Sequence, residues 1–322
     1  MAFDAVLQRL AAIHAASQRL PKLHHPSEMA QQVIEVLETH LNYEYAAVMM
    51  VDRLSDQLVP LALSEQGRGR SFVEQDKRFV SSHGLRIGDG ITGWVAANGR
   101  SVCVGDVRAD SRYYSMRSDI RSELCVPILV PGKVLGVLNI ESTRPDLYGE
   151  IDLLALETVA AQFAIAHLAA TDPLTGICNR GCFMVNAQRE LDEARQRNEA
   201  LALLALDLDR LKMVNDQFGH LVGDRFLNIV AAAGAAELRL PECIGRIGGD
   251  EFAIVLPRGG AERALVVRDA ITAEIARVHV RLDLPAELEV SFGVAVADDR
   301  HRSIDELLAQ ADSALYRHKR RH

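Results

Sequence analysis

Two pairs of acidic residues stand where apolar runs meet polar chain. The stretch "LALLALDLD" carries a nearly all-apolar run, Leu201 to Leu208, into Asp207 and Asp209. The stretch "GRIGGDEFAIVLP" sets Asp250 and Glu251 behind two glycines and before a second apolar run. In a strand, side chains alternate between faces, so Asp207 and Asp209 share one face. A run apolar on both faces belongs to a buried strand, and packing gives no reason for carboxylates at its end. Ionised carboxylates held close together repel, whereas a cation between them removes that cost. Mg²⁺ suits such a place, because it takes a few protein oxygens and completes its octahedron with phosphate and water. Asp207 and Asp250, at neighbouring strand ends, are the expected ligands, and the expected chemistry is a metal-assisted reaction at phosphate. Taken alone, Gly248-Gly249-Asp250 reads as a surface turn with solvated acids; the acids at the end of the neighbouring apolar run set it apart. The two glycines are expected to take positive φ in a two-residue hairpin loop, leaving Asp250 first in the next strand.

These residues need a scaffold, and the surrounding pattern predicts one. A helix is expected over Asn179 to Asn198, a buried strand over Ala202 to Leu208, and a helix pair split near "FGH". The acidic hairpin follows, then a helix (Gly260 to Val278), a strand (Leu288 to Ala297) and a last helix (Ser303 to Lys319). Strands and helices in this order give an α+β sheet with helices packed on it. Upstream, apolar residues recur at helical spacing over Phe3 to Leu20 and Ser27 to Leu41, with Ser27 as N-cap behind Pro26. The runs "YAAVMMV", "LVPLAL", "SVCVGDV", "ELCVPILV" and "KVLGVLNIES" predict an antiparallel sheet, with Pro131-Gly132 turning a hairpin. A helix from Glu150 to about Ala170 closes this part. Pro173 must break it at Thr171-Asp172-Pro173, which divides the chain into domains 1–170 and 171–322.

A length of 322 residues accommodates two domains, each with its own core. The formal net charge of -8 argues against a general nucleic-acid binder, so any phosphate-bearing ligand must be held locally. Five cysteines without a CxxC pair, and an amphipathic start in place of an apolar signal core, predict a cytoplasmic protein with reduced thiols. The most apolar helical stretch, 150–170, carries Glu150, Asp152, Glu157, Gln162 and His167, so no membrane segment is expected.

Four ordered motifs make residues 171–322 resemble the GGDEF-domain diguanylate cyclases: "DPLTGICNR", "DLDRLKMVNDQFGHLVGD", "RIGGDEF" and "ADSALYRHK". The resemblance implies a palm-like nucleotidyl cyclase fold and the condensation of two GTP into cyclic di-GMP and two pyrophosphates. It implies that Asp207, Asp250 and the backbone carbonyl of Leu208 bind Mg²⁺, with Mn²⁺ as a substitute. Glu251 lies near the 3′-hydroxyl as base or metal partner. Asn215 and Asp224 read guanine; a carboxylate can accept from guanine N1–H and its exocyclic amine, a pattern adenine lacks. Lys212 and Lys319 contact phosphates, and Gly248 and Gly249 turn the chain beside them. One domain holds one GTP, so two must face each other in a homodimer. Three positions depart from the family pattern. Leu211 replaces an aromatic, Glu242 follows Arg239 where the inhibitory product site has Asp, and Arg320 or Arg321 stands where a terminal arginine is usual.

Residues from about 20 to 168 resemble a GAF domain through "GLRIGDGITGWVAANGRSVCVGDVRADSRYY" and "SELCVPILVPGKVLGVLNIES". That resemblance implies an antiparallel sheet flanked by helices, a pocket for an unknown small-molecule ligand, and a sensory or dimerising role. Cys103 and Cys125 read as buried thiols in strands, His40 and His83 as ordinary polar histidines, and Trp94 as core or pocket wall. On the linking helix, Ile151, Leu154, Thr158, Ala161, Ile165 and Leu168 follow 3-4 spacing, as a coiled-coil seam does. Leu153, Leu156, Ala160 and Phe163 form a second apolar face for the domain's own core. The competing reading is a catalytically silent protein that binds GTP or cyclic di-GMP and acts through partners.

Overall fold

The computed structural model describes residues 2–41, 43–52, 54–64, 84–114, 118–282 and 284–319. His83, Arg320 and Arg321 lie outside the described residues. The chain forms two compact units, Met1–Ala169 and Ala170–His322.

In the first unit, α1 (Ala2–Arg19) and α2 (Pro26–Leu41) lead into a six-stranded antiparallel sheet. Its strands are β1 (Tyr45–Asp52), β2 (Gln57–Leu63), β3 (Leu85–Arg86), β4 (Val102–Val104), β5 (Ser122–Val130) and β6 (Lys133–Ser142), in the order β3-β2-β1-β6-β5-β4. Helix α3 (Gly90–Asn98) lies between β3 and β4 in the chain, and α4 (Glu150–Ala170) follows β6. Ser27 falls inside α2: the helix begins at Pro26, whose missing N–H is no loss in a first turn. The cap is His25, whose Nδ1 accepts from Ser27 N at 3.2 Å and whose carbonyl accepts from Met29 N at 3.0 Å. The β5–β6 hairpin closes through Pro131-Gly132 as expected, with Gly132 at φ 76°.

The core joins the sheet to α3 through Met49, Leu58, Ile91, Val95, Ile120 and Val137. Each such side chain contributes about 1.5–3 kcal/mol by leaving water. Cys125 is fully buried in the same cluster, whereas Cys103, expected to be buried, is exposed on the edge strand β4. Trp94 packs on the cluster's edge beneath the Arg112 guanidinium, 4.9 Å from the ring centroid. The buried Asp152 of α4 accepts from Arg9 of α1 at 2.6 and 3.0 Å and from the Tyr43 hydroxyl at 3.1 Å. Helix α4 has the length and apolar composition of a membrane span, with 44% of that stretch buried inside the fold. Leu156, Ala160 and Phe163 are buried, whereas Ile151, Leu154, Ile165 and Leu168 are exposed.

The second unit is a four-stranded antiparallel sheet, ordered β10-β7-β9-β8, with helices packed on it. Its strands are β7 (Leu201–Leu208), β8 (Cys243–Arg246), β9 (Glu251–Pro257) and β10 (Val290–Val296). Its helices are α5 (Arg180–Arg197), α6 (Leu211–Phe218), α7 (His220–Ala236), α8 (Ala261–Leu282) and α9 (Ile304–Lys319). Asn179 caps α5 by accepting from Cys182 N at 2.9 Å, and Asn198 ends it at φ 52°. Strand β7 is interior, paired with β10 on one side and β9 on the other, so its apolar run is buried throughout. A Cβ on Gly293 of β10 would lie 2.2 Å from the Ala311 carbonyl, so the bare glycine lets α9 lie close on the sheet. That approach carries Lys319 to the acidic end of β7.

Candidate functional site

The site forms where β7 ends and β9 begins. Register places Asp207 between Glu251 on β9 and Ser291 on β10. Leu208 is buried, and its N–H donates to the Asp250 carbonyl at 3.1 Å, which ties the glycine loop to the end of β7. Asp209 accepts from Ser291 Oγ at 2.7 Å.

The loop differs from the two-residue turn expected of it. Arg246 pairs with Phe252, and Ile247 N and Gly248 N both donate to the Glu251 carbonyl, at 2.8 and 3.2 Å. The connection therefore spans Ile247 to Asp250, Glu251 is the first strand residue, and neither Gly248 nor Gly249 takes positive φ. Gly248 faces Glu251 instead: a Cβ there would lie 2.5 Å from Glu251 Oε2, so the carboxylate would have to swing aside. Around Gly249 there is open room.

Arg246 and Asp172 hold this loop, and sequence reasoning gave neither a role. Arg246 Nη1 donates to both oxygens of Asp172 at 3.1 and 3.3 Å, while Nη2 and Nε donate to the Gly249 carbonyl at 2.7 and 3.2 Å. Asp172 also accepts from Thr175 N at 2.9 Å and Thr175 Oγ1 at 2.8 Å. Both partners lie within quoted motifs, but they are 74 residues apart, so only folding shows that they meet.

Among the described residues, Lys319 is the cation paired with this acidic cluster. Its Nζ donates to Asp207 Oδ1 and lies 3.5 Å from Asp209 Oδ1. Burial pushes the Asp207 carboxyl above the usual range; Lys319 opposes this, and the charges of Asp250 and Asp209 add to it. Burial disfavours the Lys319 ammonium, yet Asp207 and Asp209 more than offset it and raise its pKa.

Among the described residues, no three acidic, histidine or cysteine side chains gather as a metal cage. Two carboxylates and a backbone carbonyl from Asp207, Asp250 and Leu208 fit Mg²⁺, which draws much of its shell from phosphate and water.

The other expected residues fall around this end. Lys212 is an exposed residue of α6. Asn215, on the same helix, has a buried Oδ1 without a hydrogen-bond partner, facing the place where a Cβ on Gly223 would sit, 1.9 Å away. Asp224 follows Gly223 on α7 and is half-buried. Arg239 and Glu242 lie elsewhere, in the turn between α7 and β8. Arg239 is exposed, whereas Glu242 accepts from Arg263 Nε at 2.8 Å and Nη2 at 2.7 Å, a two-pronged pair that raises the arginine's pKa. Leu211 is buried, consistent with an apolar substitution at an aromatic position.

Residues 169–322 match the family model described as diguanylate cyclase, GGDEF domain, and residues 25–167 match that of the GAF domain. Diguanylate cyclase DgcP of Pseudomonas aeruginosa is 27% identical over 94% of this chain and 47% of its own length. Diguanylate cyclase TpbB of the same organism is 35% identical over 49% of this chain and 37% of its own. The crystal structure of the GGDEF domain of DgcB from Caulobacter crescentus in complex with c-di-GMP is 31% identical, covering 47% of this chain and 88% of that one, with a TM-score of 0.42. The chain spans less than half the length of the two curated relatives.

Proposed function

Since residues 169–322 belong to the GGDEF family and residues 25–167 to the GAF family, we propose that this protein is a GAF-regulated diguanylate cyclase. It condenses two GTP into cyclic di-GMP and two pyrophosphates. The observation that carries this reading is the end of β7 joined to the start of β9, where the Asp250 carbonyl is fixed on Leu208 N beside Asp207. The reaction is in-line attack of one ribose 3′-oxygen on the α-phosphorus of the other nucleotide, and a protein accelerates it mainly by positioning and charge neutralisation. Asp207, Asp250 and the Leu208 carbonyl hold Mg²⁺ or Mn²⁺, which supplies the positive charge that neutralises the phosphates. Glu251 accepts the 3′-hydroxyl proton. Asn215 and Asp224 read guanine: the unpartnered Asn215 Oδ1 can accept from it, and Asp224 stands one residue beyond Gly223. Lys212 and Lys319 contact phosphates.

Two such domains must meet, so the working form is a homodimer. The exposed Ile151, Leu154, Ile165 and Leu168 on α4 supply an apolar seam for it. A GAF ligand acts by changing dimer geometry, a cytoplasmic location belongs to this reading, and product inhibition would involve Arg239 and Glu242. The second reading, a silent nucleotide-binding regulator, draws support from Lys319 already seated on Asp207 and Glu242 already paired with Arg263.

Purified full chain with GTP and Mg²⁺ is expected to form cyclic di-GMP, and Asp250→Ala to lower the rate by about 100-fold or more. GTP binding without product, at protein concentrations that give dimers, would favour the silent regulator instead.

A further inference from the structure

Asp209 takes no part in the reaction as described, yet the fold fixes it from two sides. Its N–H donates to the Glu289 carbonyl at 3.0 Å, and its Oδ2 accepts from Ser291 Oγ at 2.7 Å. Ser291 is buried on β10, and a buried hydroxyl needs a partner. Register sets it opposite Asp207, but the hydroxyl reaches past that residue to Asp209. The other oxygen of Asp209, Oδ1, lies 3.5 Å from Lys319 Nζ, which also donates to Asp207 Oδ1. A chain of polar contacts therefore runs from β10 through Asp209 to the last turn of α9.

The two carboxylates are not equivalent partners for the lysine. On the cyclase reading Asp207 holds a divalent cation, and an oxygen committed to that cation is a poor acceptor for an ammonium as well. Asp209 has no such duty. An ammonium on a four-carbon stem is a movable point charge with three donors, so it can leave Asp207 while still resting on Asp209. We propose that Asp209, oriented by Ser291, is a positioning residue that retains Lys319 at the site and holds its ammonium toward the triphosphate of the nucleotide. With Oδ2 bonded to Ser291, Asp209 presents Oδ1 to the lysine and is not free to turn away. This role rests on the cyclase reading for its triphosphate and extends it to two residues outside the metal set. Charge alone would act in the opposite direction, because deleting a carboxylate beside a triphosphate removes a repulsion.

Equilibrium titration of the full chain with 3′-deoxyguanosine triphosphate and Mg²⁺ reads binding without turnover, since the attacking hydroxyl is missing. Ser291→Ala and Asp209→Asn should each weaken binding about tenfold, whereas Ser291→Thr, which keeps the hydroxyl, should stay within about twofold of wild type. In a Lys319→Met background, Ser291→Ala should change binding by no more than about twofold, a coupling that a merely structural role would not produce. Melting curves check that each variant folds. Two results would overturn the proposal while leaving the nucleotide reading intact: both single variants binding as tightly as wild type or tighter, or the loss persisting in full without Lys319. Wild type that binds no 3′-deoxyguanosine triphosphate up to about 1 mM would overturn the GTP reading, and the proposal with it.

Discussion

Replacing Asp172 by Asn keeps the side chain's shape and removes the charge that anchors Arg246. The pair is well sheltered, with the two side chains 15% and 16% exposed, so water screens it weakly. A hydrogen bond to a charged group contributes about 1.5–3 kcal/mol net, and Asn retains one acceptor, so the expected loss is about 2 kcal/mol. For a unit of this size that lowers the melting temperature by about 4–8 °C, read by calorimetry of the full chain as a shift in one transition. The pH dependence is a second signature. Burial disfavours the charged Asp172, but Thr175 and Arg246 outweigh it and hold the carboxyl below its ordinary 3.8. A folded pKa below the unfolded one stabilises fully above 3.8 and is lost as pH falls below it, so the gap between wild type and variant should close on acidification. A third readout is turnover. Arg246, freed at one end, no longer fixes the Gly249 carbonyl, and the proposed cyclase rate should fall about tenfold with little change in the KM for GTP. A variant melting within about 1 °C of wild type, with unchanged turnover, would refute the claim that this pair holds the glycine loop.

Gly248→Ala should displace the Glu251 carboxylate and cut cyclase turnover roughly tenfold or more, while Gly249→Ala, facing open room, should cost little; side-by-side kinetics and melting curves decide. Burial lowers the His167 pKa from 6.5 to about 4, so its contribution is present above 6.5 and is lost as pH falls towards 4. The expected loss is roughly 3 kcal/mol, and denaturation followed by the single Trp94 should lose this pH dependence in His167→Gln. A disulfide reagent should modify Cys103 rapidly in the native protein and reach Cys125, Cys178, Cys182 and Cys243 only on unfolding; more than one fast thiol would contradict their burial.

Periodicity alone located most elements. The apolar run of β7 and the alternating runs of β5 and β6 predicted strands because burial and pleat dictate those patterns, and Pro173 marked the end of α4 for steric reasons. Local rules were weakest where a turn answers to distant residues. Gly248-Gly249 carries the composition of a tight hairpin, yet the loop is longer, because Arg246 and Leu208 N draw the Gly249 and Asp250 carbonyls outward. Ser27 has the chemistry of an N-cap, but Pro26 is the better first residue and moves the cap to His25.

By itself, the sequence determined which residues could hold a metal and phosphate: acids at the end of a buried run declare themselves through their cost. Only tertiary structure decided their company. Asp172 meets Arg246 across 74 residues, Lys319 reaches Asp207 across 112, and Arg263 claims Glu242 from a separate helix. Ser291 looked like an ordinary strand residue until antiparallel register set it beside Asp207, within reach of Asp209. Pattern is a property of neighbours in the chain, whereas charge and hydrogen bonding depend on neighbours in space, and the fold alone supplies those.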